Sequence, residues 1–203
     1  MRRTSFLAAV VVTFFALPAF AQAPPAGTPA RIRGTVEKLD GRTLTVAERD
    51  GGTASVTLAP GAKVNILVKR SLADIKPGDF VASTGIKGKD GKIHAIEVRI
   101  FPKADPGGGR QFAWDLAPDS VMTNATVGRV TKAPQGEVLH VTFKGGQSAY
   151  SVGPNVPILA TAPGDMSLLK PGAAVFVIAV KHPDGSLTST RLYAEKNGIK
   201  PPM

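Results

Sequence analysis

Lys76-Pro77-Gly78-Asp79-Phe80-Val81 returns 94 positions later as Lys170-Pro171-Gly172-Ala173-Ala174-Val175. Working outward at the same spacing, Val56-Thr57-Leu58 meets Tyr150-Ser151-Val152 and Asp90-Gly91 meets Asp184-Gly185. Gly34-Thr35-Val36 is likewise aligned with Gly128-Arg129-Val130. A fixed internal period identifies a duplicated unit, here of about 70 residues, and limits the architecture before any element is assigned.

Within the first copy, Ile32, Gly34 and Val36 alternate with Arg31, Arg33, Thr35 and Glu37, the period-two pattern of a strand buried on one face. Asp40-Gly41 and Asp50-Gly51-Gly52 supply hairpin turns into Leu44-Thr45-Val46 and Val56-Thr57-Leu58. A short apolar stretch, Val64 to Val68, follows. Ser71 then caps a single helical turn that Pro77-Gly78 ends. Two more strands, Phe80 to Ile86 and Lys92 to Ile100, are joined at Lys89-Asp90-Gly91. Three strands, a helical turn and two strands are the order of a five-stranded Greek-key barrel of the OB type. The second copy repeats it from Thr126 to Ala194.

The expected fold is therefore all-β, with two tandem small OB-like barrels, each carrying one short helical turn, over residues 31–101 and 124–198. Met1-Arg2-Arg3, the apolar run Phe6 to Leu17 and the small-residue site Ala19-Phe20-Ala21 read as a cleaved signal peptide over 1–21. A run of twelve residues closed by Pro18 is too short to span a bilayer, which takes roughly 20 apolar residues. The reading is thus a soluble periplasmic protein, not an integral membrane one. Residues 22–30 and 199–203, rich in Pro, Ala or Gly, are expected as loose ends. Residues 102–123 form a linker whose Phe112, Trp114 and Leu116 alternate as large apolar groups and predict an interdomain docking segment.

The chain holds 25 Lys and Arg against 15 Asp and Glu; loss of Arg2 and Arg3 with the signal leaves a net charge of +8. Such a balance favours polyanions, which in an envelope means anionic glycolipid or polysaccharide and not nucleic acid. Arg31 and Arg33 share the outward strand face, and with Lys69 and Arg70 they predict one basic ligand-binding patch on the first barrel.

Catalytic constellations are wanting. The sequence has no Cys, hence no disulfide, thiolate site or cysteine nucleophile. His94, His140 and His182 lack the spacing of a metal motif. Asp74 and Asp79 read as turn residues that satisfy backbone donors. Gly107-Gly108-Gly109 lacks the Lys and Ser/Thr of a phosphate loop. The expectation is a non-catalytic binding or scaffold protein with no cofactor and no metal. The alternatives are an accessory protein for metal handling or transport and, behind it, a weak hydrolase.

The repeated Gly-x-Val start, the two Lys-Pro-Gly turns and the stretches Trp114-Asp115-Leu116 and Val121 to Val127 resemble a family of exported proteobacterial proteins of unknown function, often labelled metal ABC transporter permease. The resemblance implies the tandem OB-like fold and names no activity. A permease label conflicts with the sequence, which offers no apolar span after residue 21. Small periplasmic copper chaperones are similar in fold class, yet their clustered methionines are not matched: Met122 lies near Trp114, while Met166 and Met203 are remote.

Overall fold

A computed structural model describes residues 27–101, 108–134 and 136–201; the expected signal peptide lies outside them. The described chain is nearly all strand. Its elements in order are β1 Thr28–Asp40, β2 Thr43–Glu48, β3 Thr53–Arg70, β4 Phe80–Lys87, β5 Ile93–Phe101, β6 Arg110–Ala113, β7 Ser120–Ala133, β8 Gly136–Phe143, β9 Gly146–Val152, β10 Ile158–Pro163, β11 Ala174–Lys181 and β12 Leu187–Ala194. Single 3-10 turns, Leu72–Asp74 and Met166–Leu168, precede β4 and β11. Both stand where a helical turn is expected. No helix among the described residues is long and apolar enough to cross a membrane.

Strand pairing departs from two consecutive barrels. β1 pairs with β2, β2 with β3, β3 in parallel with β12, β12 with β11, and β11 returns to β1. That closes a five-stranded barrel from three strands of the first copy and two of the second, here termed the split barrel. β4, β5, β9, β8 and β7 form a second closed ring in the same manner. This ring is built from one uninterrupted stretch of chain. Residues 31–101 therefore do not close on themselves, and neither do residues 124–198: each copy gives its first three strands to one ring and its last two to the other.

The cause lies in β3. The sequence reading separates Val56–Leu58 from Val64–Val68, but the chain runs as one strand through Pro60 and Gly61 for 18 residues. At about 3.3 Å per residue its contour approaches 60 Å, too long for one side of a small barrel. Its first part pairs with β2 and β12, and its end pairs with β10. The strand thus carries the chain out of the split barrel and delivers β4 beside β7. β10 bonds β3 on one side and β5 on the other, so the sheet is continuous between the two rings.

Both Lys-Pro-Gly turns dock reciprocally. Gly78 donates its N–H to Val127 O at 2.8 Å, and Gly172 donates to Val36 O at 2.9 Å. Each of these glycines has positive φ, +91° and +89°, which any side chain would resist. These contacts also correct the repeat register in the first strand. Thr35 faces Ala174 and Thr126 faces Phe80, which makes Thr35 and Thr126 equivalent at a spacing of 91, not 94. The β7–β8 hairpin is longer than β1–β2, and that difference restores 94 by the third strand.

Each ring has its own core. Val36, Leu44, Val56, Val175 and Leu192 fill the split barrel; Val81, Val98, Leu139, Val141 and Tyr150 fill the contiguous ring. A third cluster lies between them: Leu67, Leu159, Phe176 and Tyr193, with Trp114, Ile178 and Ile199 packed against it. Of the expected loose ends, residues 22–26 and 202–203 lie outside the described residues, and the rest are ordered into the fold. Residues 28–30 already belong to β1, Ile199 joins the third cluster and Pro201 is buried. Two pieces of the expected linker are strand as well, since β6 and the start of β7 fall within it and pair antiparallel.

Candidate functional site: an arginine-aromatic cleft

Outward faces of both rings meet across a cleft of about 580 Å³. β1, β11 and β12 contribute Arg31, Phe176, Arg191 and Tyr193; β4, β5, β6 and β7 contribute Phe80, Arg99, Phe101, Arg110, Phe112 and Met122. Alternation along each strand explains the lining. Val175, Val177 and Leu192 point into the split barrel, which turns Phe176 and Tyr193 outward. Val81 and Val98 point into the ring, which turns Phe80 and Arg99 outward.

Rings and guanidinium groups interleave along one wall. Phe112 meets Trp114 edge-on at 5.7 Å, Trp114 meets Phe176 at 6.4 Å, and Phe176 stacks on Tyr193 at 6.3 Å. Arg110 lies 5.0 Å from the Phe112 centroid, Arg31 4.4 Å from Trp114, Arg33 4.5 Å from Phe176 and Arg99 5.0 Å from Tyr193. The negative ring faces attract the cations, and the planar guanidinium stacks where an ammonium would not.

Two carboxylates anchor this array. Arg33, 5% exposed, forms a bidentate pair with Asp115, its Nη1 and Nη2 donating at 3.0 and 2.8 Å. Arg31 Nη1 is 3.6 Å from the same carboxylate. Burial alone would push the Asp115 carboxyl up, but the Arg33 hydrogen bonds and the charges of Arg33 and Arg31 outweigh it and hold the group below its usual range. Arg99, 6% exposed, donates from Nη2 to the buried Glu97 at 2.7 Å. Its Nε is buried with no hydrogen-bond partner among the described residues. Among the described residues, five guanidinium groups stand against two carboxylates, which leaves the array positive.

The segment 114–119 straps the ring to the split barrel. Ser120 Oγ donates to Trp114 O at 3.0 Å and accepts from the Ala117 N–H, which closes the strap into a compact turn. On β6, Gln111 Nε2 donates to Thr123 Oγ1 and Ser148 Oγ, fixing the strand on the ring so that Phe112 faces the cleft.

Of the four basic residues expected in one patch, Arg31 and Arg33 come together at the Asp115 strap. Lys69 and Arg70 end β3 opposite Leu159 and Ile158, and neither lines the cleft. Lys69 and Arg70 thus stand on the part of β3 that pairs with β10, apart from the cleft that Arg31 lines. Phe112 and Trp114 do pack between the rings, with Leu116 half-buried in the strap. Sequence reasoning missed Arg99, Arg110, Arg191, Phe80, Phe101, Phe176 and Tyr193. The available signal was the runs Phe80–Ala82 and Ala174–Ile178, apolar on both strand faces, which mark strands covered on both sides.

The histidines are dispersed: His94 bonds Asp90, His140 bonds Thr131 and His182 bonds Thr188. No group of three or more metal-binding side chains occurs among the described residues. Met122 shares the cleft with Trp114, its sulfur accepting a hydrogen bond from Thr84 Oγ1 at 3.5 Å.

Cleft and rings define an all-β protein with a cationic, ring-lined crevice between two closed sheets. Compared with family models, with curated proteins and with solved structures, the chain matches none.

Proposed function

We propose that this is an exported binding protein of two OB-like barrels, with exchanged halves, that captures an anionic envelope component in the cleft between them and catalyses nothing. The observation that carries the reading is the surplus of guanidinium groups over carboxylates in a concave, ring-lined site. Arginine forks match phosphate and carboxylate oxygens, and a low-dielectric wall strengthens each such bond. The parallel closures of β3 with β12 and β5 with β9, each beside a three-strand meander, support the OB-like assignment. The sequence signal at 1–21 supports export.

Trp114 is the single tryptophan and lines the cleft, so its emission reports occupancy directly. Phosphorylated glycolipid and acidic polysaccharide are titrated against the mature chain at low and high salt. Binding that weakens as salt rises, and is lost in Arg191→Gln, supports capture through the cleft. Titrations that leave both emission and melting temperature unmoved at low salt refute it. A melting shift with Cu(I) that Met122→Leu abolishes would favour metal handling instead.

A further inference from the structure

The occupant's shape can be read from the same cleft, and the inference rests on the anion-capture reading above. We propose that the ligand is a small aryl anion: a flat ring system held among Phe80, Phe101 and Phe112, with its phosphate or carboxylate on Arg99 and Arg191.

Three observations lead there. The first is the unfilled donor. Arg99 is nine-tenths buried, spends one Nη on Glu97, and keeps a buried Nε without a partner among the described residues. Such a group costs stability unless something accepts its proton, and the Arg99 side chain lines the cleft. The second is charge. The Arg191 and Arg110 guanidinium groups make no ion pair among the described residues, and Arg191 precedes by two positions the Tyr193 ring on which Arg99 stacks. Arg99 and Arg191 therefore line the same crevice, Arg99 on the Tyr193 ring and Arg191 two positions before it on the same strand. The third is the opposite wall. Phe80 and Phe101 stand 6.2 Å apart, tilted by 59°, and belong to the ring, while Phe176 and Tyr193 belong to the split barrel.

Aromatic walls on both sides of a cleft of about 580 Å³ suit a small molecule. A long polyanion would leave the rings unused, and an inorganic ion would leave them wet. An alkyl chain would fill space but forgo the offset and edge contacts that rings make with one another.

The test uses the mature chain and four probes: 1-naphthyl phosphate, hexyl phosphate, inorganic phosphate and uncharged 1-naphthol, each followed calorimetrically and by competition on Trp114 emission. The aryl phosphate is expected to bind about tenfold or more tightly than hexyl phosphate. Arg191→Gln should weaken it about tenfold or more, and Phe101→Leu should erase the preference over hexyl phosphate. Arg191 is exposed, so its variant keeps the fold if Arg99→Gln does not. Equal binding of both phosphate esters overturns the aryl assignment and leaves anion capture standing. So does binding of phosphorylated glycolipid with no binding of either ester. Naphthol binding as tightly as naphthyl phosphate overturns the role of the arginines. Silence from every anion, glycolipid included, overturns both readings.

Discussion

The split barrel draws its core from residues 30–64 and 168–194, whereas the contiguous ring takes its core wholly from residues 72–158. Both have the same five-strand plan, so local propensity does not separate them. What separates them is the length of chain between partners. β1 finds β11 across more than a hundred intervening residues, most of which, after β2 and β3, are the other ring with its connections. The comparison implies that the ring can stand without the split barrel, while the split barrel depends on the ring to bring its halves together.

Excision gives the largest effect. A fragment spanning residues 71–160 should retain protected amides and dispersed proton shifts, because every residue of its core lies within it. Residues 27–101, a full copy by sequence, should be unfolded in the same measurement. Folding of the second fragment and not the first would reverse the comparison.

Next come equivalent core truncations. Leu44 and Leu139 are both fully buried and occupy matching places in the middle strand of each three-strand meander, β2 and β8. Leu44→Ala and Leu139→Ala should each cost about 2–5 kcal/mol in urea denaturation. Hydrogen exchange should tell them apart. With the ring melted, the halves of the split barrel are joined by a loop of about 100 residues, whose closure costs about 4 kcal/mol or more. Leu139→Ala should therefore loosen amides in both rings, and Leu44→Ala only those of the split barrel.

Much of this plan was legible in the residues, and its limits are physical. Alternation and apolar runs located the strands other than β6 and β10, though β3 was read as two pieces, and Asp-Gly and Lys-Pro-Gly signals located several of the turns, because both are set by neighbours in sequence. Partner choice is not local. The Gly78 N–H would find an equivalent acceptor on either first strand, Val36 or Val127, and only the unbroken run of β3 through Gly61 decides which. The site suffered most from this. Arg31 and Arg33 were visible as an outward pair, but Arg99 and Arg191 become neighbours of one crevice only after the halves exchange.

A smaller effect tests the register. Gly34 and Gly128 look equivalent at a spacing of 94, yet a Cβ on Gly34 would sit 1.9 Å from Ala47 O, while one on Gly128 would meet nothing closer than His140 O at 3.6 Å. Gly34→Ala must push β1 off β2 and should lower stability by about 1–3 kcal/mol. Gly128→Ala should change the melting temperature little. Equal losses would restore the spacing of 94 in the first strand.

The smallest effect concerns the strap that ties one ring to the other. Asp115 is 44% exposed, and its carboxyl is held below the usual value by Arg33 and Arg31. A carboxyl depressed in the folded state stabilises it fully above its unfolded value, near 4, and ceases to as pH falls through the lower folded one. Solvent screening keeps the contribution below about 1 kcal/mol. Acidification through that window should thus free the strap before either ring melts, and Trp114 emission should shift red while far-ultraviolet dichroism holds. Asp115→Asn should show the shifted emission already at neutral pH and flatten the acid transition. An acid shift that survives Asp115→Asn would place the titrating group elsewhere and detach the strap from the coupling of the rings.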